Sequence, residues 1–458
     1  MRERREFRCQ ECGAKSARWM GRCPGCGSYS TLVEEKVSAV PAAQGSAGGR
    51  VEPLYSVDVE PVARLSTGLA EVDRILGGGL VPGGLVLLGG DPGIGKSTLM
   101  LQVAAQVSRT GPVLYVSAEE SAAQVRLRAE RLGAREDRLF LMADGRLPAV
   151  EEAIAERTWQ LVVIDSLQTV WDPDLESAPG SVSQVREVAA RVMRLAKGRE
   201  VPVFLIGHVN KEGSLAGPRV VEHLVDVVLM FEGDRQHLFR MLRGIKNRFG
   251  PTQELGLFAM NEEGLEAVPD PSELLLKERS QGTTGSAVAA IVEGSRPLLV
   301  EVQALVASAG EIPRRVVWGF PSQRLLLILA VLERHAGARL RDRDVFVKLT
   351  GGIEADDPAM DLAVAAAVLS SLHGVPVPGN IMLAGELGLT GEVRSAAQMA
   401  ARVREARQLG LDTAVVPEGS GIQGKGVRPV RRAADLWDVL GVSEREERPV
   451  PRRRAGEE

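Results

Sequence analysis

Four short, wholly apolar runs recur in the first half of the chain: Leu85–Leu88, Val113–Val116, Leu161–Ile164 and Val203–Ile206. Runs of four without polar alternation fit parallel strands buried on both faces. After the first run, Leu99, Leu101, Val103 and Val107 predict an amphipathic helix. Upstream, Leu65 to Asp73 reads as a short capped helix stopped by Gly77–Gly79. Further on, Val288–Val292 and Leu298–Val302 read as strands, and Gln323–Ala336 and Asp361–His373 as apolar helices. The pattern divides the chain into a small module at 1–33, a flexible Ala/Gly/Pro/Ser-rich linker at 34–60, and an α/β domain with a mostly parallel sheet at 61–271. An α+β domain at 272–441 and a disordered tail at 442–458 follow. The longest apolar runs, Leu325–Leu332 and Leu362–Leu369, have eight residues. A membrane span needs about 18. The N-terminus is charged and has no apolar h-region, so the expectation is a cytoplasmic protein without membrane contact.

Composition adds little to this until the cysteines are placed. Of 458 residues, 44% are hydrophobic and 25% charged, enough apolar side chain to exclude a disordered chain. The net charge of −4 gives no sign of a polyanionic partner, although a sum over the chain does not speak to a local basic channel. All four cysteines, Cys9, Cys12, Cys23 and Cys26, lie in C-x2-C-x10-C-x2-C spacing. Two such knuckles supply four thiolates to one tetrahedral Zn²⁺, with Gly13 and Gly27 easing the turns. Trp19, Met20 and Tyr29 are expected to pack over so small a core, contact with a partner being the alternative.

The strongest chemical signal follows the first apolar run. Gly90-Asp91-Pro92-Gly93-Ile94-Gly95-Lys96-Ser97-Thr98 satisfies G-x4-G-K-[ST] between a strand and a helix. Its backbone N–H groups suit a phosphate chain. Lys96 is expected to reach the β/γ-phosphates of ATP, and Ser97 to ligate Mg²⁺. Asp165 ends the third run, where a carboxylate holds the Mg²⁺ shell. Glu119, with Glu120 as runner-up, ends the second and is placed to orient and deprotonate an attacking water; a solvated helix-starting pair is the plain alternative. His208 follows the fourth run, as either a γ-phosphate sensor or a strand cap.

Short spacings and the absence of N-K-x-D point to a RecA-like ATPase core. Long polar segments, Trp171–Ser183 and Asn210–Arg219, follow the third and fourth strands, where such rings line a channel. Lys246-Asn247-Arg248-Phe249-Gly250 is read as following a strand, Leu238–Leu242. Its two cations form either a basic surface turn or a pair reaching a neighbouring subunit's γ-phosphate. The four-Cys module, GDPGIGKST and KNRFG, in this order, resemble the bacterial RadA (Sms) DNA repair proteins over nearly the whole chain. The resemblance implies a hexameric, DNA-stimulated ATPase that works with RecA recombinase on single-stranded and branched DNA and drives branch migration. It implies nucleotide and metal roles for Lys96, Ser97 and Asp165, a trans-acting role for Lys246 and Arg248, and a channel position for Lys211 and Arg219. A non-motor ATP switch similar to the circadian-clock ATPases is the competing reading.

The last domain resembles the proteolytic domain of Lon, whose nucleophile lies in D-G-P-S-A-G with its basic Lys 43 residues on. Here Asp356-Asp357-Pro358-Ala359-Met360-Asp361 places Ala359 at the Ser position, and Arg402 at the Lys position. A methyl group cannot attack a carbonyl, and a permanently charged guanidinium cannot serve as the base. The expectation is therefore an inactive protease fold that serves as an oligomer platform, with Arg314, Arg315, Arg341 and Arg343 as candidate DNA contacts.

Overall fold

The computed structural model describes residues 4–9, 14–25, 27–37, 55, 63–207, 220–233, 239–252 and 254–442. Cys12, Cys26, His208, Lys211, Arg219, the Asn210–Arg219 segment, most of the linker and all but the first residue of the tail lie outside them. The chain forms two compact units that meet in sequence between Val268 and Pro269.

The N-terminal module is an antiparallel sheet of β1 (Arg4–Cys9), β2 (Lys15–Ser16) and β3 (Leu32–Val37), in the order β2-β1-β3. β3 continues to Val37, so the module extends into the segment assigned to the linker. Its small core is Cys9, Cys23 and Leu32, with Phe7, Ala14 and Met20 against it. That core has no room for the two large aromatics. Trp19 and Tyr29 stay 58% and 74% exposed, contrary to the packing expected of them. The Arg22 guanidinium lies 5.5 Å from the Tyr29 ring centre.

The next elements are α1 (Ala70–Leu76), β4 (Leu85–Gly90), α2 (Lys96–Ser108), β5 (Val113–Ser117), α3 (Ala122–Arg131), β6 (Leu139–Met142), α4 (Leu147–Glu156) and β7 (Leu161–Asp165). After these come α5 (Val182–Arg199), β8 (Val203–Ile206), α6 (Val220–Leu224) and β9 (Val227–Glu232). The meander β10 (Arg240–Asn247), β11 (Leu255–Asn261) and β12 (Gly264–Ala267) completes a nine-stranded sheet in the order β12-β11-β10-β9-β4-β8-β7-β5-β6. The six strands from β9 to β6 are parallel. Every residue of β4, β5, β7 and β8 is buried. Alternate residues feed two separate cores: Val86, Leu88, Val163 and Phe204 on one face, Leu85, Leu87, Val162 and Leu205 on the other. Each such side chain contributes about 1.5–3 kcal/mol by leaving water, which is why the runs show no polar alternation.

Four local readings change. α1 begins at Ala70, because the Asp73 carboxylate accepts from Ser66 Oγ, Thr67 N and Thr67 Oγ1 (2.6–2.8 Å) and so pins residues 65–69 as a loop. α2 is buried on most sides rather than amphipathic. Gln102 on its outer face exchanges two hydrogen bonds with the Leu265 backbone (3.1 and 3.0 Å), so the β11–β12 meander covers it. The segment after β7 is a packed turn. Gln184 of α5 bonds Asp172 N, Asp172 O and Ser177 O, and Asp172 and Ser177 are buried. Its helix starts early, at Val182, capped by Ser181. Finally, β10 runs through Asn247, so Lys246 lies within the strand and not after it.

The C-terminal unit comprises α7 (Pro271–Leu276), β13 (Ser286–Glu293), β14 (Arg296–Ser308), β15 (Arg315–Trp318), α8 (Ser322–His335), β16 (Arg343–Leu349) and α9 (Asp361–His373). The series continues with β17 (Ile381–Leu383), β18 (Glu386–Leu387), β19 (Val393–Arg394), α10 (Met399–Gln408), β20 (Thr413–Pro417), β21 (Val427–Val430) and α11 (Leu436–Leu440). Seven strands form a mixed sheet in the order β15-β16-β14-β13-β17-β20-β21. α9 is buried continuously from Asp361 to Ser370 against β13 and β14, as expected of a helix apolar on all sides. Among the described residues, no helix is long and apolar enough to cross a membrane.

Candidate functional site

The glycine-rich loop leaves the end of central strand β4 and enters α2. Gly90 has φ 152°, and a Cβ there would lie 2.4 Å from the Phe231 carbonyl oxygen of neighbouring β9. Gly95, at φ 116°, would drive a Cβ to 2.9 Å from Met260. Only glycine lets the backbone curl this tightly. Lys96 is buried, and its ammonium donates to Gly90 O (2.7 Å) and Asp91 O (2.9 Å). Burial lowers its pKa, while Asp165, Asp91 and Glu119 oppose the shift. Asp91, Pro92 and Gly93 are exposed, whereas Ile94 anchors the loop in the core and Thr98 is buried.

β8 lies between β4 and β7, so the loop and Asp165 face one crevice at the carboxyl ends of the parallel strands. Ser97 donates a side-chain hydrogen bond to Asp165, and Tyr115 Oη donates to Asp165 Oδ2 at 2.7 Å. Burial pushes the Asp165 carboxyl up; both hydrogen bonds oppose this, and Glu119 and Glu120 add to it. A hydroxyl and a carboxylate side by side, beyond an anion-cradling loop, are the donor set that suits Mg²⁺ with a nucleotide phosphate. Glu119 is exposed and within electrostatic reach of Lys96 and Asp165. Glu120 is engaged elsewhere, paired with Arg128 at 2.6 Å. Sequence reasoning missed Tyr115, which read simply as a strand residue.

Lys246 and Arg248 are not part of this crevice. Asn247 pairs with Val227, and Val227 with Val86, at the opposite end of β4 from the loop. Along β4, Gly90, where the loop begins, is four residues, about 13 Å, from Val86. There Lys246 Nζ donates to Glu222 O (2.7 Å) and Val225 O (2.8 Å), and Arg248 pairs with buried Asp226 at 3.1 Å. Asp226 also accepts from Leu85 N at 3.2 Å. Burial lowers the Lys246 pKa, and Arg248 adds to the effect.

In the N-terminal module, Cys9 and Cys23 are buried together. Gly25 N donates to Cys23 Sγ at 3.3 Å and Gly27 N to Cys23 O at 2.9 Å, the turn that orients a thiolate toward a metal. This geometry and the donor set suit Zn²⁺.

The protease-like locus of the C-terminal unit is filled by an ion pair. Arg402 and Asp357 are buried and meet at 2.6 Å. Arg402 also donates to Ala290 O (2.5 Å) and Ala397 O (2.9 Å), and Asp357 accepts from Val292 N (2.7 Å) and Ala359 N (2.9 Å). Ala359 is itself buried. Of the four arginines expected to contact DNA, Arg314 pairs with Asp344 at 2.5 Å and Arg315 donates to Leu340 O at 2.7 Å. Arg343 bonds Ser308 Oγ at 3.2 Å, and Arg341 is exposed.

Next to this pair, burial raises the Asp361 carboxyl to about 6, against the opposing effect of Arg324 at 3.0 Å. Its unfolded value is about 3.9. Between those values the folded unit binds the proton more tightly. Stability from this group is therefore full below about pH 4 and lost as pH rises through about 6, a change of up to about 3 kcal/mol. Melting temperatures of the wild type and Asp361→Asn across pH 4–7 are expected to differ in slope in that sense. Parallel slopes would contradict it.

A phosphate loop, a carboxylate two strands away and a strand between them define a P-loop ATPase core of RecA-like topology, here joined to a zinc ribbon and a Lon-like domain. The family described as AAA domain matches residues 52–214, rubredoxin metal binding domain matches 7–34, and subunit ChlI of Mg-chelatase matches 327–420. The chain is 48% identical over 422 residues to the DNA repair protein RadA of Bacillus subtilis, covering 90% of this chain and 92% of that one. It is 47% identical to the RadA of Listeria monocytogenes, covering 91% and 92%. A solved KaiC-like protein of Pyrococcus horikoshii aligns with TM-score 0.39 and 22% identity, over 46% of this chain and 100% of that one. The chain belongs to the RadA family of DNA repair proteins.

Proposed function

We propose that the chain is a DNA-dependent ATPase motor of recombinational repair. It works as a homohexameric ring on single-stranded and branched DNA, beside RecA recombinase, and promotes branch migration. Lys96 and the loop N–H groups hold the ATP phosphates; Ser97 and Asp165 hold the Mg²⁺ shell, and Glu119 orients the attacking water. The metal, when bound, neutralises charge that develops on the transferred phosphoryl group. Cys9, Cys12, Cys23 and Cys26 bind the zinc. His208 senses the γ-phosphate, and Lys211 and Arg219 face the DNA channel. With its DNA contacts confined to that channel, the net acidity of the chain is no obstacle.

One observation carries the motor reading: Lys246 and Arg248 lie toward the opposite end of β4 from their own phosphate loop. KNRFG therefore does not serve its own nucleotide; released from Glu222 O, Val225 O and Asp226, its two cations would suit a neighbour's nucleotide across a closed assembly. Alanine at Lys246 or Arg248 is expected to leave ATP binding intact and to reduce DNA-stimulated turnover by a factor of about 10³ or more. Nucleotide-binding titrations and steady-state ATPase assays with single-stranded DNA measure the two separately. Normal turnover in both variants would remove the trans-acting role. A protein that binds ATP and DNA but moves no branch point in a three-strand assay would be a switch instead.

A further inference from the structure

We propose that Tyr115 is a positioning residue for Asp165, its phenol fixing the carboxylate orientation in which Asp165 meets Ser97 and a bound Mg²⁺. The proposal rests on the nucleotide-site reading above. β5 and β7 are parallel, with Ser117 opposite Asp165 and Tyr115 opposite Val163. Tyr115 and Ser117 share a face, so the Tyr115 ring starts one pleat below the carboxylate, about 7 Å back along the strand. A phenol is long enough to cross that gap and end in a donor, and its hydroxyl reaches Asp165 Oδ2 at 2.7 Å.

Packing alone does not call for the hydroxyl. The ring is fully buried in the apolar core beside Leu99, Leu101 and Val125, where phenylalanine would fill the same space. A buried hydroxyl costs free energy unless it is partnered, and here its partner is the carboxylate two strand-ends from the phosphate loop. The terminal carboxylate torsion is soft and two-fold. A fixed donor on Oδ2, together with the Ser97 hydroxyl on the same carboxylate, removes that freedom. The donor therefore pre-sets a metal ligand before metal arrives.

The test uses full-length protein and a fluorescent ATP analogue titrated with Mg²⁺. In Tyr115→Phe, nucleotide binding in EDTA is expected to be unchanged, and the Mg²⁺ midpoint to rise about 10-fold. In an Asp165→Asn background the same change is expected to add nothing, because the two groups act as one. A core-filling role would not give a metal shift that depends on Asp165. Tyr115→Met, which also lacks the donor but fills space flexibly, must reproduce the shift if the phenylalanine variant folds poorly. An unchanged midpoint, or an equal shift in the Asp165→Asn background, overturns the proposal while leaving the ATPase reading intact. A wild type without Mg²⁺-dependent nucleotide binding overturns both.

Discussion

Alanine in place of Lys96 is expected to abolish ATP hydrolysis, a loss of at least about 10²–10³ in kcat, with little change in melting temperature. The asymmetry follows from the surroundings of the side chain. Its ammonium is buried and held by two carbonyls of its own loop, Gly90 O and Asp91 O, so the cation is already dehydrated and placed. A charge in that setting acts on phosphate oxygens far more strongly than one in water. Its removal deletes the local cation but no core packing, since β4 and α2 are secured by Val86, Leu88, Leu99 and Met100. Arginine is not expected to rescue it. The loop closes too tightly around Gly95 for a planar fork to replace a point charge. ATPase assays with and without DNA, alongside thermal melts, check both halves of the expectation. A folded Lys96→Ala protein that turns over at the wild-type rate would contradict it.

Replacing Arg402 with methionine is expected to destabilise the C-terminal unit by about 3–5 kcal/mol, because Asp357 would stay buried without its counter-charge. The carboxylate cannot turn to solvent, since the backbone N–H groups of Val292 and Ala359 hold it. Ala290 O and Ala397 O lose their donor as well. Arg402→Met combined with Asp357→Asn is expected to recover part of the loss by removing the stranded charge. Denaturant titration of the single and double variants measures this. Equal stability of wild type and Arg402→Met would show that the pair holds nothing together.

The strands of the nucleotide domain were legible because burial on both faces leaves uninterrupted apolar runs, and α9 was legible because it is apolar all round. The carboxyl ends of those runs, where Glu119 and Asp165 lie, were legible for the same reason. β10 runs past the Leu242 end expected from sequence because Arg243 and Lys246 interrupt its apolar pattern, yet their backbones pair with Met230 and Val228 of β9. The turn after β7 looked loose because its organiser, Gln184, is a single amide in a helix and becomes visible only through three hydrogen bonds. Couplings across long separations leave no local trace: Tyr115 to Asp165, Arg248 to Asp226, and Arg402 to Asp357 join different elements. Each needed the fold before it could be seen.

The placement of Lys246 and Arg248 at the far end of β4 also bears on economy in the cell. On the motor reading, each subunit owns the entrance half of one reaction centre and the exit half of another. A subunit that has bound ATP but found no neighbour is silent, however much nucleotide surrounds it. Turnover then reports that a ring has closed, and fuel consumption is confined to assemblies already in place to use it.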